Sequence, residues 1–365
     1  MAVGSDSSSG QKITPRNLRP GPPLEVGDET LVSARLESPQ PASKFGWKAK
    51  VYELLGQVID DKYEILDIIG TGGMGSVYKG LSLHSKEHVA LKVLLPHLAH
   101  EGPSLRRFQL EAKAASRINH PNSVSVHDFG VWNEQAYLVM DFLPGKSLSQ
   151  FLKERGSLPL NLALPIFIQA CAGLAAAHAL GIYHRDVKPS NFMVLISSEG
   201  IQTQVCDFGL AKLKISEGET ITGTGEVFGS PPYMSPEQCL GRAIDERSDI
   251  YSMGCLMYEC LMGAVPIKGN NPLDTMRKQV TVAPSPLKLE LVDENIYLGI
   301  NEIVKRALAK EPEGRQQSML ELKAELEAVL EDKDDFRSKE NHLRPQPPLG
   351  FFDRLKRQVK NDNPE

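Results

Sequence analysis

The chain has little of what would set it apart from ordinary water-soluble chemistry. Its five cysteines, Cys171, Cys206, Cys239, Cys255 and Cys260, form no CxxC pair, so the spacing of a dithiol motif is absent. An odd number scattered through apolar stretches reads as unpaired, buried thiols in a reducing compartment, by default the cytoplasm. Positive charge is not in excess, since 41 Lys and Arg face 46 Asp and Glu for a formal net charge of -5. No global electrostatic case for nucleic acid follows, because its binders carry a basic face. Residues 1 to 30 lack the apolar core of a signal peptide, and no later run approaches the length of a bilayer span. The expectation is a soluble chain without a membrane span. There is also no internal repeat.

What is present suits one large or two small globular domains, with 365 residues of which 41% are hydrophobic and 24% charged. Residues 1–44 are rich in Ser, Gly and Pro ("GSDSSSG", "RPGPPLE", "SPQPAS") and read as a disordered arm, having too few apolar groups to offset the entropy of ordering. Residues 45–62, "FGWKAKVYELLGQVI" and its flanks, read as a linker or a segment packing on the domain's edge. From residue 63 to 141, short β-branched runs ("YEILDIIG", "SVYKGL", "HVALKVL", "AYLVMDF") and one helical pattern, "LRRFQLEAKAASRI", predict a small antiparallel sheet with one main helix. After "LPGK", residues 145–331 turn to long Ala- and Leu-rich helical patterns, so the fold class is α+β with two lobes. Residues 332–365 are polar, Pro-rich and finally basic, and read as a mobile tail.

Four stretches carry chemistry. In "IGTGGMGSVYKG", Gly70, Gly72 and Gly75 have GxGxxG spacing between two strand-like segments. Glycines there let backbone lie close over a polyphosphate. A dinucleotide-binding fingerprint shares the glycines but opens a helix, whereas "SVYKGL" continues as a strand; a plain glycine-rich hairpin is the simpler alternative. In "HVALKVL", alternation puts Ala90 and Lys92 on one face and Val89, Leu91 and Val93 on the other. Lys92 therefore needs a counter-charge unless it is an edge residue reaching solvent. Glu111 shares a helical stripe with Phe108, Ala115 and Ile118. An ion pair with Lys92 would resolve both charges, the alternative being a glutamate at the stripe's rim. Finally, "YHRDVKPSN" and "VCDFGLAK" supply Asp186, Asn191 and Asp207, hard oxygen groups suited to magnesium and to a hydroxyl proton.

Taken together these residues resemble the eukaryotic-type protein kinase family, over roughly residues 63 to 331, with "HRDVKPSN" and "YMSPEQ" closest in look to bacterial Ser/Thr members. The resemblance implies a bilobal protein kinase fold and transfer of the γ-phosphate of ATP, with Mg2+ or Mn2+, to Ser or Thr hydroxyls of protein substrates. Ile69, Gly70, Thr71, Gly72, Gly73, Met74, Gly75, Ser76 and Val77 would then cover ATP, Ala90, Met140, Met193 and the backbone of Asp141 and Leu143 would meet adenine, and Lys92, fixed by Glu111, would hold the phosphates. Asp186 would orient the acceptor hydroxyl, Lys188 would contact the transferring phosphate, and Asn191 and Asp207 would bind the metal.

"GSPPYMSPEQ" is similar to the family's substrate-docking segment, with Ser235-Pro236-Glu237 where Ala-Pro-Glu is commoner. Glu237 would pair with Arg315, and Asp249 would brace the catalytic loop, a role compatible with capping a helix. Arg185 and Lys212 would receive a regulatory phosphate on Thr222 or Thr224, with Thr220 and Thr30 as further candidates, and Ser230 would align beside Asp186 and Lys188. Autophosphorylation in trans would need a transient homodimer. Two rival readings stand beside this one: a pseudokinase scaffold, against which Lys92, Asp186 and Asp207 are all present, and a small-molecule phosphotransferase, which lacks the docking segment.

Overall fold

Alternation along the β-branched runs builds the smaller layer. The structure, a computed structural model, describes residues 53–72, 75–95, 102–208, 229–289 and 294–341. Strands β1 (Val58–Ile59), β2 (Tyr63–Gly72), β3 (Gly75–Ser82), β4 (His88–Leu94), β5 (Val126–Trp132) and β6 (Gln135–Asp141) form an antiparallel sheet in the order β1-β2-β3-β4-β6-β5. The period-2 pattern of β4 sorts its side chains as expected. Val89, Leu91 and Val93 join Tyr63, Ile65 and Val139 in one cluster, while Ala90 packs with Val124 and Met140 on the other face. Leu94 meets Phe108 and Ala112 of helix α1 (Gly102–Ala115), which thereby docks on the cleft-facing side of the sheet.

The sheet begins before Tyr63. Ile59 is buried and pairs with Tyr63, and Leu54 joins the same cluster, so part of the segment read as a linker or edge piece is a strand. Strand β5 is a second addition. Its residues are half-buried or exposed along their length, as suits an edge strand bonded only to β6, and so lack a clean alternation.

The larger layer holds α2 (Leu148–Arg155), α3 (Leu160–His178), α4 (Pro236–Cys239), α5 (Glu246–Met262), α6 (Pro272–Thr281), α7 (Glu294–Ala307) and α8 (Met319–Asn341). A small sheet, β7 (Lys146–Ser147), β8 (Phe192–Ser197) and β9 (Gly200–Val205), lies among them. Helix α8 runs past residue 331 into the stretch read as tail. One expectation needs correcting: α3, at 19 residues, is long and apolar enough to cross a membrane. Its Leu164, Phe167, Cys171 and Leu174 are instead buried against Tyr251, Met253 and Leu256 of α5, so it is the central helix of the core. All five cysteines are free; Cys171, Cys255 and Cys260 are buried, whereas Cys206 and Cys239 are half-buried.

Candidate active site

The two layers meet at a cleft of about 990 Å³. Ile69, Gly70, Thr71, Gly72, Gly75 and Val77 form its roof, Ala90, Met140, Leu143 and Met193 its apolar interior, and Lys92, Asp186, Lys188, Asn191 and Asp207 its polar end. Ser76 lies between Gly75 and Val77 on the strand, is buried, and is not on the cleft wall. Glu111 also lies off the wall. Gly73, Met74, Lys212, Thr30, Thr220, Thr222 and Thr224 lie outside the described residues. Val124 and Cys206 line the interior as well and were not singled out in the sequence, where nothing but their position beside "HPN" and "DFG" marks them.

The glycines of the roof have different reasons to be there. At Gly75, φ is +149° and a Cβ would stand 2.0 Å from the Val93 carbonyl oxygen, so close strand packing alone demands glycine. At Gly72 a Cβ would meet nothing within 4 Å. The room there belongs to the cleft, and it is the space a phosphate chain needs under a backbone roof. Asp141 lines the cleft too, and its carboxylate accepts from Ser125 N–H at 3.0 Å and pairs with His127 Nε2 at 2.7 Å.

Lys92 reaches across the cleft to Asp207, Nζ to Oδ2 at 2.7 Å; the ammonium is buried and the carboxylate half-buried. Burial alone would raise the Asp207 carboxyl, but the Lys92 ammonium holds it below its ordinary value, so it stays ionised. Among the described residues only Lys92 bonds this carboxylate, through one oxygen. Asn191 donates Nδ2 to the Asp186 carbonyl at 2.8 Å, which fixes its amide at the cleft's polar end. A half-buried carboxylate held ionised and an oriented amide fit a divalent cation that takes its remaining ligands from phosphate and water. The ion pair expected between Lys92 and Glu111 is not made among the described residues, since Lys92 bonds Asp207 instead; Glu111 is half-buried on α1, and its carboxylate favours the charged form of Arg185.

The catalytic loop is held from several sides. Asp249, buried near the start of α5, accepts the N–H groups of His184 at 2.7 Å and Arg185 at 2.8 Å, and its Oδ2 also meets His178 Nε2 at 2.8 Å. It does not cap its helix; Asp245 does, accepting from Arg247 N–H. That separates two roles the sequence allowed to coexist. His184 links the loop to "DFG", its Nε2 donating to the Cys206 carbonyl at 2.8 Å while Nδ1 accepts the Asp186 N–H at 3.3 Å. Its ring packs on Phe208 with centroids 5.2 Å apart. The sequence showed this histidine without a reason for it.

Asp186 is met by two groups. Lys188 Nζ lies 2.5 Å from Oδ2, and the Ser230 hydroxyl donates to Oδ1 at 3.0 Å while accepting from Lys188 Nζ at 3.1 Å. Arg185 lies beside them with its Nε buried and unbonded among the described residues, and burial pulls its guanidinium below the ordinary value. Such a cation is poised for an anion.

A family model described as "Protein kinase domain" matches residues 63–325. The chain is 37% identical over 279 residues to a probable serine/threonine-protein kinase of Clostridium perfringens, covering 76% of this chain and 40% of the relative. It is 37% identical over 272 residues to the serine/threonine-protein kinase PknB of Mycobacterium leprae, covering 73% and 43% respectively, so it spans less than half of either relative. Among solved structures, the Mycobacterium tuberculosis PknI kinase domain is similar with a TM-score of 0.59 at 28% identity, covering 75% of this chain and 98% of that one. On the matched sequence, the bilobal fold and the cleft between its layers, the chain belongs to the protein kinase family.

Proposed function

We propose that the chain is a serine/threonine protein kinase that moves the γ-phosphate of ATP onto protein Ser and Thr hydroxyls. The observation that carries this reading is Ser230, whose hydroxyl is hydrogen-bonded by both Asp186 and Lys188 at the polar end of the cleft. An acceptor hydroxyl placed there has a carboxylate for its proton and a cation for the phosphate it receives. Asp186 takes the proton as the new O–P bond forms and the bond to the ADP oxygen breaks. Lys188 balances the charge of the moving group. Lys92, whose ammonium meets Asp207, holds the α- and β-phosphates, and the glycine roof excludes water.

Asn191 and Asp207 would hold Mg2+, or Mn2+ in its place, which when bound neutralises charge on the β- and γ-phosphate oxygens. Supporting features for a cytoplasmic setting are the five free thiols. The partners are protein substrates, not nucleic acid, together with a second copy during trans-autophosphorylation. Thr222 and Thr224 are the sites we assign to that reaction, with Arg185 and Lys212 receiving the phosphate.

The test is incubation of the purified chain with labelled ATP, Mg2+ and a protein acceptor, followed by acid hydrolysis and identification of the labelled amino acids. Label on serine and threonine that vanishes in excess chelator supports the reading. No protein label, or label undiminished by chelator, contradicts it.

A further inference from the structure

Arg185, the residue that leads into Asp186, is held at its N–H and at its carbonyl by side chains from outside the catalytic loop. Arg185 stands at φ +65°, a conformation that a residue with a side chain keeps only where its surroundings over-determine it. Its N–H is taken by Asp249 Oδ1 at 2.8 Å. Its carbonyl accepts from Gln238 Nε2 at 3.0 Å. The N–H of the same peptide, that of Asp186, goes to the His184 ring.

Gln238 belongs to the docking segment, where it does a second thing. Its Oε1 accepts the Ser235 N–H at 2.9 Å, and its own N–H donates to Ser235 Oγ at 3.3 Å, closing a capping box at the start of α4. The acceptor end of one amide therefore serves the helix, and the donor end serves the loop. The amide cannot turn over without giving up both bonds, so the orientation of α4 is passed to the Arg185 carbonyl. Gln238 does not line the cleft.

We propose that Gln238 is a positioning residue for phosphoryl transfer: through the Arg185 carbonyl it ties the segment on which a protein substrate docks to the placement of Asp186. This rests on the kinase reading given above. Ser235 has a different part: its hydroxyl accepts the Gln238 N–H and donates a longer bond to Oε1 at 3.2 Å, while its backbone N–H, at 2.9 Å, holds the amide oxygen whether or not the hydroxyl is there.

Three variants of the full chain separate these roles, each measured for thermal unfolding, ATP affinity, and kcat and KM toward one protein acceptor. Gln238→Glu keeps the length and the acceptor facing Ser235 but sets a second acceptor against the Arg185 carbonyl. Gln238→Met removes donor and acceptor without adding charge. Ser235→Ala removes the hydroxyl and leaves both ends of the Gln238 amide engaged. Misplacement of a reacting group by about 1 Å costs on the order of 10²-fold in rate, so kcat should fall about 10- to 100-fold in both Gln238 variants with ATP affinity unchanged. Gln238→Glu should keep the wild-type Tm, whereas Ser235→Ala should lower Tm and keep kcat. Wild-type kcat in either Gln238 variant, or a fall in kcat that simply follows Tm across all three, overturns the inference. Absence of transfer by the wild type overturns the kinase reading instead, and the inference with it.

Discussion

Arg315 and Glu237 close a two-point fork inside the larger lobe, Nη1 to Oε1 at 2.7 Å and Nη2 to Oε2 at 2.8 Å. All five guanidinium donors are used, the others going to the carbonyls of Ala309, Arg247 and Lys310. The Ser248 hydroxyl adds a bond to Glu237 at 2.6 Å. A buried ion pair so fully bonded is a junction between the docking segment, α5 and the chain after α7.

Arg315→Ala should therefore be costly, because it leaves Glu237 charged and buried with no cation. Breaking such a pair typically loses about 3–5 kcal/mol. Chemical denaturation of wild type and variant measures it. A loss under about 1 kcal/mol, the worth of an exposed pair, would contradict the account.

Acid should weaken the same region in a defined direction. Burial raises the carboxyls of Glu237 and Asp249, yet Arg315 and Ser248 on one and His178 and the loop N–H groups on the other hold both below their ordinary values. The unfolded chain then binds protons first as pH falls. Their contribution is complete above about pH 5 and is lost as pH drops through the lower folded-state values. Unfolding free energy measured from pH 7 to pH 3 should be level at first and then decline. A rise in stability on acidification below pH 5 would run against this assignment.

The two roof glycines should separate fold from ligand. Gly75→Ala drives a Cβ into the Val93 carbonyl and should lower Tm. Gly72→Ala meets no neighbour, so it should leave Tm unchanged and raise KM for ATP. Equal effects of the two substitutions on Tm would remove the distinction.

If Arg185 receives an activating phosphate, Thr222→Ala combined with Thr224→Ala should remove most activity toward other proteins, and Arg185→Ala should match it without an added effect in the triple variant. Each phosphate brings about -1.5 to -2 charges, enough for one to three charge-assisted bonds. Phosphosite mapping and initial rates decide this. A fully active double variant would sink the regulatory scheme.

Where one face of a strand is apolar and the other is not, the fold was legible: β4 sorted Ala90 and Lys92 from Val89, Leu91 and Val93 by alternation alone. Strand β5 was not, because Asp128 stands in it to meet Lys62 and Tyr63, residues more than sixty positions away. The small sheet of β8 and β9 escaped for a similar reason. It is short and set among helices whose pattern dominates the sequence around it. At the site, the chemical identity of Asp186, Asn191 and Asp207 was visible, and the likeness to kinases placed Asp249 and Arg315. What no spacing shows is which backbone groups those side chains hold. The Asp249 brace and the Gln238 link each join residues more than fifty positions apart. Ser76 is the opposite case, since alternation along the strand turns this one member of the glycine motif inward, away from the cleft.

The central claim is that Asp186 takes the acceptor hydroxyl's proton in the cleft. The most direct measurement is the single-turnover rate of transfer from ATP to a protein acceptor for wild type and Asp186→Asn, with ATP affinity and Tm taken on the same samples. The amide keeps the shape but accepts no proton, so the rate should fall by roughly 10²- to 10⁴-fold while affinity and Tm hold. An Asp186→Asn variant that retains more than about half the wild-type rate, far above that range, would contradict the account.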